Sequence, residues 1–329
     1  MSTTTATLPG TRDDFYQLRS GLAEHIVGQQ ALVDRLLVAL LSAGHLSVEG
    51  APGLAKTRAV KALASGLDSD FHRIQFTPDL LPADLTGSDV FRPENGTFDF
   101  QPGPIFHSVL LADEINRAPA KVQSALLEAM GEGQVTAGAR SYALPKLFMV
   151  MATQNPIEQE GTYPLPEAQL DRFMLHVVVD YPDREAGRQI LQLARREAIR
   201  GQGEPQLRSK LSEDAVFTAR QDVLALHLAD TVEEYICELI EATRAPAAYD
   251  ADLASWIRWG ASPRGAIALE RGARSLAWLA GRDFVTPEDV QNIAPDVLRH
   301  RIILNFEAEA DGITNDRFID TLLARVPAP

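Results

Sequence analysis

The chain has 329 residues, 45% of them apolar and 23% charged, with a formal net charge of −14 and a pI near 5.0. That length makes one large or two medium domains, with apolar residues enough for a sizeable core. The acidic balance argues against a chain whose main work is gripping phosphate backbones with a basic stripe, but leaves room for a local basic pore. A single cysteine, Cys237, excludes an internal disulfide framework and points to a reducing, cytoplasmic setting. It lies in the helical run VEEYICELIEA and reads as a small buried hydrophobe.

The opening MSTTTATLPGTRDD has neither a basic start nor an apolar stretch, so it does not read as a signal peptide. Residues 1–12 read as disordered. Residues 13–43 carry helical periodicity, broken at Gly28. The apolar run LLVALL (36–41) is far too short to span a bilayer, so no membrane insertion is expected. HLSVEG (45–50) reads as a strand entering a glycine loop, and KTRAVKALASGL (56–67) as the helix that follows.

Further apolar runs read as strands: FHRIQF (71–76), SVLLAD (108–113), KLFMVMAT (146–153) and FMLHVVVD (173–180). Helical stretches such as APAKVQSALLEAM (118–130) separate them. This alternation predicts an α/β fold, a mostly parallel sheet sandwiched by helices. Two hairpins interrupt it, at 89–100 with its turn at Asn95-Gly96 and at 133–144 turning near Gly138.

After YPDREAG (181–187) helical periodicity dominates and no strand is expected. The start of TPEDVQNIAPDVLRHRI (286–302) has a Thr cap, Pro at the first helical position and acids in the first turn. The predicted organisation is an α/β domain over 13–182 and a smaller all-helical domain over 183–329.

The segment GAPGLAKT (50–57) nearly spells the phosphate loop GxxxxGK[ST]. In such a loop, Gly50, Pro52, Gly53, Leu54 and Ala55 would carry the backbone round the phosphates. Lys56 would neutralise them and Thr57 would offer its hydroxyl to Mg²⁺. Ala55 stands where the second glycine belongs. Its methyl is tolerable at helical backbone angles and costly at positive φ. The competing reading is a Gly-Pro turn before an amphipathic helix.

SVLLADEINRA (108–118) ends an apolar strand in Asp113-Glu114. A carboxylate at that tip can hold Mg²⁺, and Glu114 beside it can polarise a water as general base. Paired acids also start ordinary helices. In KLFMVMATQNP (146–156), Asn155 ends another strand, where its amide could orient water or touch a γ-phosphate. An Asn-Pro turn is the plainer reading. Arg172 in PEAQLDRFML follows a short helical stretch, and Arg264 in GASPRGAIAL opens a helix in the second region. An arginine at a helix start wants an anionic partner; surface ion pairs are the alternative for both. The seven histidines show no metal-ligand spacing such as HExxH. His45 reads as structural, and Trp256 and Trp259 as core or interface anchors.

Taken in order, GAPGLAKT, LLADEINRAP, ATQNP, LDRF and SPRG resemble the AAA+ ATPases, and more narrowly the MoxR family. QFTPDLLPADLTG (75–87), MATQNPIEQEGTYPLPEAQLDRF (151–173) and ASPRG (261–265) are similar to that family's signatures. The likeness covers the chain from about residue 13, and the family's loop commonly reads PGLAKT, with Ala where Ala55 stands. It implies ATP and Mg²⁺ as ligands, with Lys56 and Thr57 on phosphate and metal, Asp113 on the metal and Glu114 on the water. Val27 and Gly28, in IVGQ, would line the adenine pocket. Asn155 would be the first sensor, Arg264 the second, and Arg172 an arginine finger reaching a neighbour's ATP. Such fingers are worth about 10³–10⁵ in rate.

The resemblance further implies a hexameric ring under a helical lid, hairpins facing its pore, and a client carrying a von Willebrand factor A domain. The expected work is remodelling, maturation or cofactor insertion of a partner complex. The alternatives are a nucleotide-gated scaffold with little turnover, or a motor on nucleic acid. The acidic balance counts against nucleic acid as a partner.

Overall fold

The computed structural model describes residues 9–94, 96–137, 140–156, 161–200, 207 and 210–329. The chain runs α1 (Pro9–His25), α2 (Gln30–Leu41), β1 (Leu46–Gly50), α3 (Lys56–Ser65), β2 (Phe71–Gln75) and α4 (Pro82–Thr86). A hairpin of β3 (Gly87–Arg92) and β4 (Thr97–Pro102) precedes β5 (Val109–Asp113) and α5 (Ala120–Glu132). A second hairpin, β6 (Gln134–Ala137) and β7 (Arg140–Ala143), leads to β8 (Met149–Gln154), α6 (Glu167–Leu170) and β9 (Leu175–Val179).

The five predicted strand runs form one parallel sheet in the order β2-β5-β8-β1-β9. Both faces are covered, which is why β5 reads VLLAD without a polar break before its tip. Val109 and Leu111 join one apolar cluster with Val48 and Met151, while Leu110 and Ala112 join another with Leu126 and Val150.

The remaining elements are α7 (Arg184–Arg200), α8 (Glu213–Ala225), α9 (Asp230–Arg244), α10 (Ala251–Trp256), β10 (Ile257–Trp259), α11 (Pro263–Leu279), α12 (Pro287–Leu298), β11 (Ile303–Leu304), α13 (Phe306–Ala310) and α14 (Asn315–Arg325). Thr286 caps α12 as expected, with Asp289 accepting from the Thr286 N–H at 2.9 Å. Among the described residues, no helix is long and apolar enough to cross a membrane.

Four expectations need correction. The first helix starts at Pro9, so 9–12 are helical, and residues 1–8 lie outside the described residues. Proline at the first position is compatible with a helix start because its missing N–H is an orphan there anyway. The second region contains the antiparallel pair β10–β11, two strands too short to show alternation. Cys237 is exposed, because α9 buries Val232, Tyr235, Ile236, Leu239 and Ile240 and turns Cys237 the other way. Trp259 is exposed, which removes the core reading for it and leaves the interface reading. The hairpin turns at Asn95 and Gly138 lie outside the described residues, although the strands flanking them pair as expected.

Candidate active site

β1 delivers Gly50 at the carboxyl edge of the sheet, and the loop then turns into α3. A side chain at Gly50 would meet the Val179 carbonyl at 2.6 Å, so the loop needs glycine there. Gly53 has φ +85° and Ala55 φ +59°. The left-handed conformation at Ala55 is the costly case for its methyl, about 1–2 kcal/mol. Alternating left-handed residues turn successive N–H groups to one side and make a cradle for anions. The loop therefore fits a phosphate group, and its strain sits where binding would use it.

The Lys56 ammonium donates to the Gly50 carbonyl and, at 3.2 Å, to the Gln154 carbonyl at the tip of β8. Burial pulls its pKa below the usual lysine value, while Asp113, Glu114 and Glu49 oppose that shift. Thr57 follows in the first turn of α3. Asp113 is buried, accepting from the Thr153 hydroxyl at 2.6 Å and from Arg73 at 2.7 and 3.0 Å. Its carboxylate and the Thr57 hydroxyl are hard oxygen donors of the kind Mg²⁺ takes.

Glu114 has φ +58°, and its N–H donates to Thr153 Oγ1 at 2.9 Å. Gln75 donates to Glu114 Oε2 at 2.8 Å and Arg117 at 3.3 Å. Asn155, also buried, follows the last residue of β8. Lys56, Asp113, Glu114 and Asn155 thus share one end of the sheet. Arg73, Gln75 and Thr153 were missed from sequence. They sit beside the acids only because β2 and β8 flank β5, with Gln75 level with Asp113.

Next to the loop, Val27, Gly53, Ala55, Pro182, Ile190 and Ala194 line a pocket under α7. Arg58 and Glu197 also line it and pair across it, and Arg58 donates to the His25 carbonyl at 2.8 Å. Gly28 (φ +78°) does not line the pocket; a Cβ there would come within 2.7 Å of the Ala186 methyl.

Arg172 and Arg264 lie elsewhere. Leu46 pairs with Leu175, so Arg172 precedes the amino edge of the sheet, while Gly50 ends β1 at the other edge. A five-residue strand spans about 16 Å. Arg172 donates to the Leu127 carbonyl, at the far edge from its own phosphate loop. Arg264 lies 3.7 Å from Asp171, and the three residues line one cleft with Arg271 and Arg301. Ser262, the cap of α11, donates to both Asp171 oxygens at 2.9 and 3.0 Å, tying the helix start to this strap. Ala43, left-handed at φ +52°, lines the same cleft. Among the described residues, every non-glycine residue with positive φ therefore sits at one of these two places.

Residues 45–175 match the ATPase family associated with various cellular activities (AAA), and residues 239–322 match the AAA lid domain. The chain is 46% identical over 305 residues to Chaperone MoxR1 of Mycobacterium tuberculosis, spanning 92% of this chain and 79% of that one. It is 32% identical over 338 residues to Protein MoxR of Methylorubrum extorquens, spanning 98% of each. A crystal structure of a candidate ATPase from Cytophaga hutchinsonii has a TM-score of 0.89 and 46% identity, over 97% of this chain and 96% of that one. With the phosphate loop, the acidic strand tip and these relatives in agreement, the chain belongs to the MoxR family of AAA+ ATPases and is an ATP hydrolase.

Proposed function

We propose that the chain hydrolyses MgATP as a ring, most simply a hexamer, in which each phosphate loop is completed by Arg172 and Arg264 of the neighbouring subunit. The observation that carries this reading is their separation. Arg172 and Arg264 share a cleft at the amino edge of the sheet, and Lys56 lies at the carboxyl edge. A neighbour's cleft set against the loop would supply the missing cations.

Within one subunit, the loop from Gly50 to Ala55 and Lys56 hold the phosphates, and Val27, beside the loop, lines the base pocket. Thr57 and Asp113 would hold Mg²⁺, which when bound neutralises developing phosphate charge. Glu114 takes the proton of the attacking water, and Gln75 and Arg117 set its carboxylate. Asn155 orients that water. Arg172 stabilises charge on the transferred phosphoryl group.

The cycle drives a chaperone-like remodelling of a partner protein, as the name of the mycobacterial relative supports. The client we favour carries a von Willebrand factor A domain, the partner the family resemblance implies. The two hairpins are the contact surface we favour. Phe91 and Phe98 form an exposed ring pair on the first hairpin, with centroids 5.1 Å apart. Phe100 stacks on Tyr142 of the second at 3.9 Å, so the two hairpins are in contact. The working units are an AAA+ domain from the start of α1 at Pro9 to residue 182 and a lid over 183–329, acting in the cytoplasm.

The test is hydrolysis per subunit against protein concentration. It should climb and saturate as rings form. Glu114→Gln should abolish turnover and spare ATP binding. Arg172→Ala should be inactive alone and regain activity when mixed with Lys56→Ala. No regain, in rings shown to be mixed, would overturn action across the interface.

A further inference from the structure

The cleft that holds Arg172 and Arg264 contains two more guanidiniums, Arg271 and Arg301, and a single carboxylate, Asp171. Asp171 is taken: it accepts from Arg301 Nε at 2.9 Å and from the Ser262 hydroxyl. Arg301 is buried and neutralised by that contact. Arg172 and Arg271 form no ion pair among the described residues, and Arg264 has only the 3.7 Å approach to Asp171. A concentrated positive site therefore stands in a chain with net charge −14.

Arg271 is exposed, yet its backbone is pinned. Its carbonyl accepts from Ser42 Oγ at 3.2 Å and Ser275 Oγ at 2.9 Å, which locks α11 to the end of α2. Arg264 and Arg271 are seven residues apart on α11, two turns along one face, or about 10.5 Å. Ile267 and Ala268 fill the cleft wall between them. A single carboxylate from a neighbour would meet one of these cations. A nucleoside triphosphate carries charge along a chain of three phosphates, which suits a row of them.

We propose that Arg271 binds the polyphosphate of the nucleotide held by a neighbouring copy of this chain, as a third cation beside Arg172 and Arg264. This inference rests on the ring reading above. Arg264 and Arg172 meet the reacting end, and Arg271 meets phosphate further from it.

The experiment uses the full chain with Arg271→Ala and Arg271→Gln, each compared with Arg172→Ala. Because Arg271 is exposed, both variants should keep the unfolding temperature and the nucleotide-free ring. The proposal expects kcat/KM for MgATP to fall about tenfold or more, as for loss of a charge-assisted hydrogen bond. Adding Lys56→Ala protein, which supplies an intact Arg271, should restore activity above the sum of the two alone. Unchanged kcat/KM would overturn the proposal. So would loss of the ring without nucleotide, which would make Arg271 the partner of a neighbour's carboxylate. If Lys56→Ala rescues Arg172→Ala but not Arg271→Ala, the assignment of Arg271 fails and the ring reading stands. If neither is rescued in rings shown to be mixed, the ring reading itself fails and takes this proposal with it.

Discussion

Asp171 holds the Arg301 guanidinium at 2.9 Å and is bonded directly to Arg172 in the chain, so the buried ion pair anchors the segment that carries the candidate finger. The other guanidinium nitrogens donate to the carbonyls of Phe173 at 2.7 Å and Met174 at 3.2 Å. Burial brings the Arg301 pKa down to about 10, with Asp171 opposing the shift. Removing Asp171 would leave a charge buried without its partner, at a cost of about 3–5 kcal/mol. Asp171→Ala should show a loss of that size in urea unfolding. Replacing Arg301 by Met in the same chain should recover part of it. A single-variant loss below about 1 kcal/mol would refute the anchoring role.

Ala55 presents a second measurable strain. Glycine removes the left-handed penalty of about 1–2 kcal/mol but loses about 0.5–1 kcal/mol to chain entropy. Ala55→Gly should therefore raise stability by up to about 1 kcal/mol and keep ATP affinity. Ala55→Val, β-branched at the same φ, should lose stability and weaken ATP binding together. Calorimetric Tm and ATP titration of both variants decide it; a more stable valine variant would contradict the backbone angle.

His45 sets an acid limit on the fold. It is buried, its Nδ1 accepts from the Val150 N–H at 3.0 Å, and burial lowers its pKa from 6.5 to about 4. The unfolded chain binds this proton more readily, so stability rises with pH through the range. The contribution is whole above pH 6.5 and is lost as pH falls towards 4. It amounts to about 3 kcal/mol. Burial moves His300 the same way. His45→Asn, which keeps an acceptor for Val150 and cannot titrate, should flatten the slope of unfolding free energy between these pH values. Parallel slopes for variant and parent would remove His45 from the account.

Arg73 competes for the carboxylate proposed to bind Mg²⁺. It lies 2.7 Å from Asp113 and is 44% exposed, so the pair is worth at most about 1 kcal/mol. Arg73→Gln should lower the Mg²⁺ concentration at half-maximal hydrolysis by up to about fivefold. A rise instead would make Arg73 a supporter of the Asp113 geometry rather than a rival cation.

Much of this was legible because it is local. The phosphate loop is contiguous from Gly50 to Thr57, and the five strand runs announce themselves by length and apolar content. Cys237 misled the reading because its neighbours are apolar, although their 3.6-residue spacing already points them away from it.

The sequence by itself determined the parallel α/β architecture and the strands that end in the Gly50 loop and in Asp113, since each depends on neighbours in the chain. Only the tertiary structure decided the strand order that sets Arg73 and Gln75 beside Asp113 and Glu114. It also decided the sign of φ at Ala55, and that Arg264 joins Arg172 and Asp171 instead of its own phosphate loop. Strand pairing and helix docking join residues far apart in sequence, and no local period or propensity records which partner a strand tip or helix start will meet.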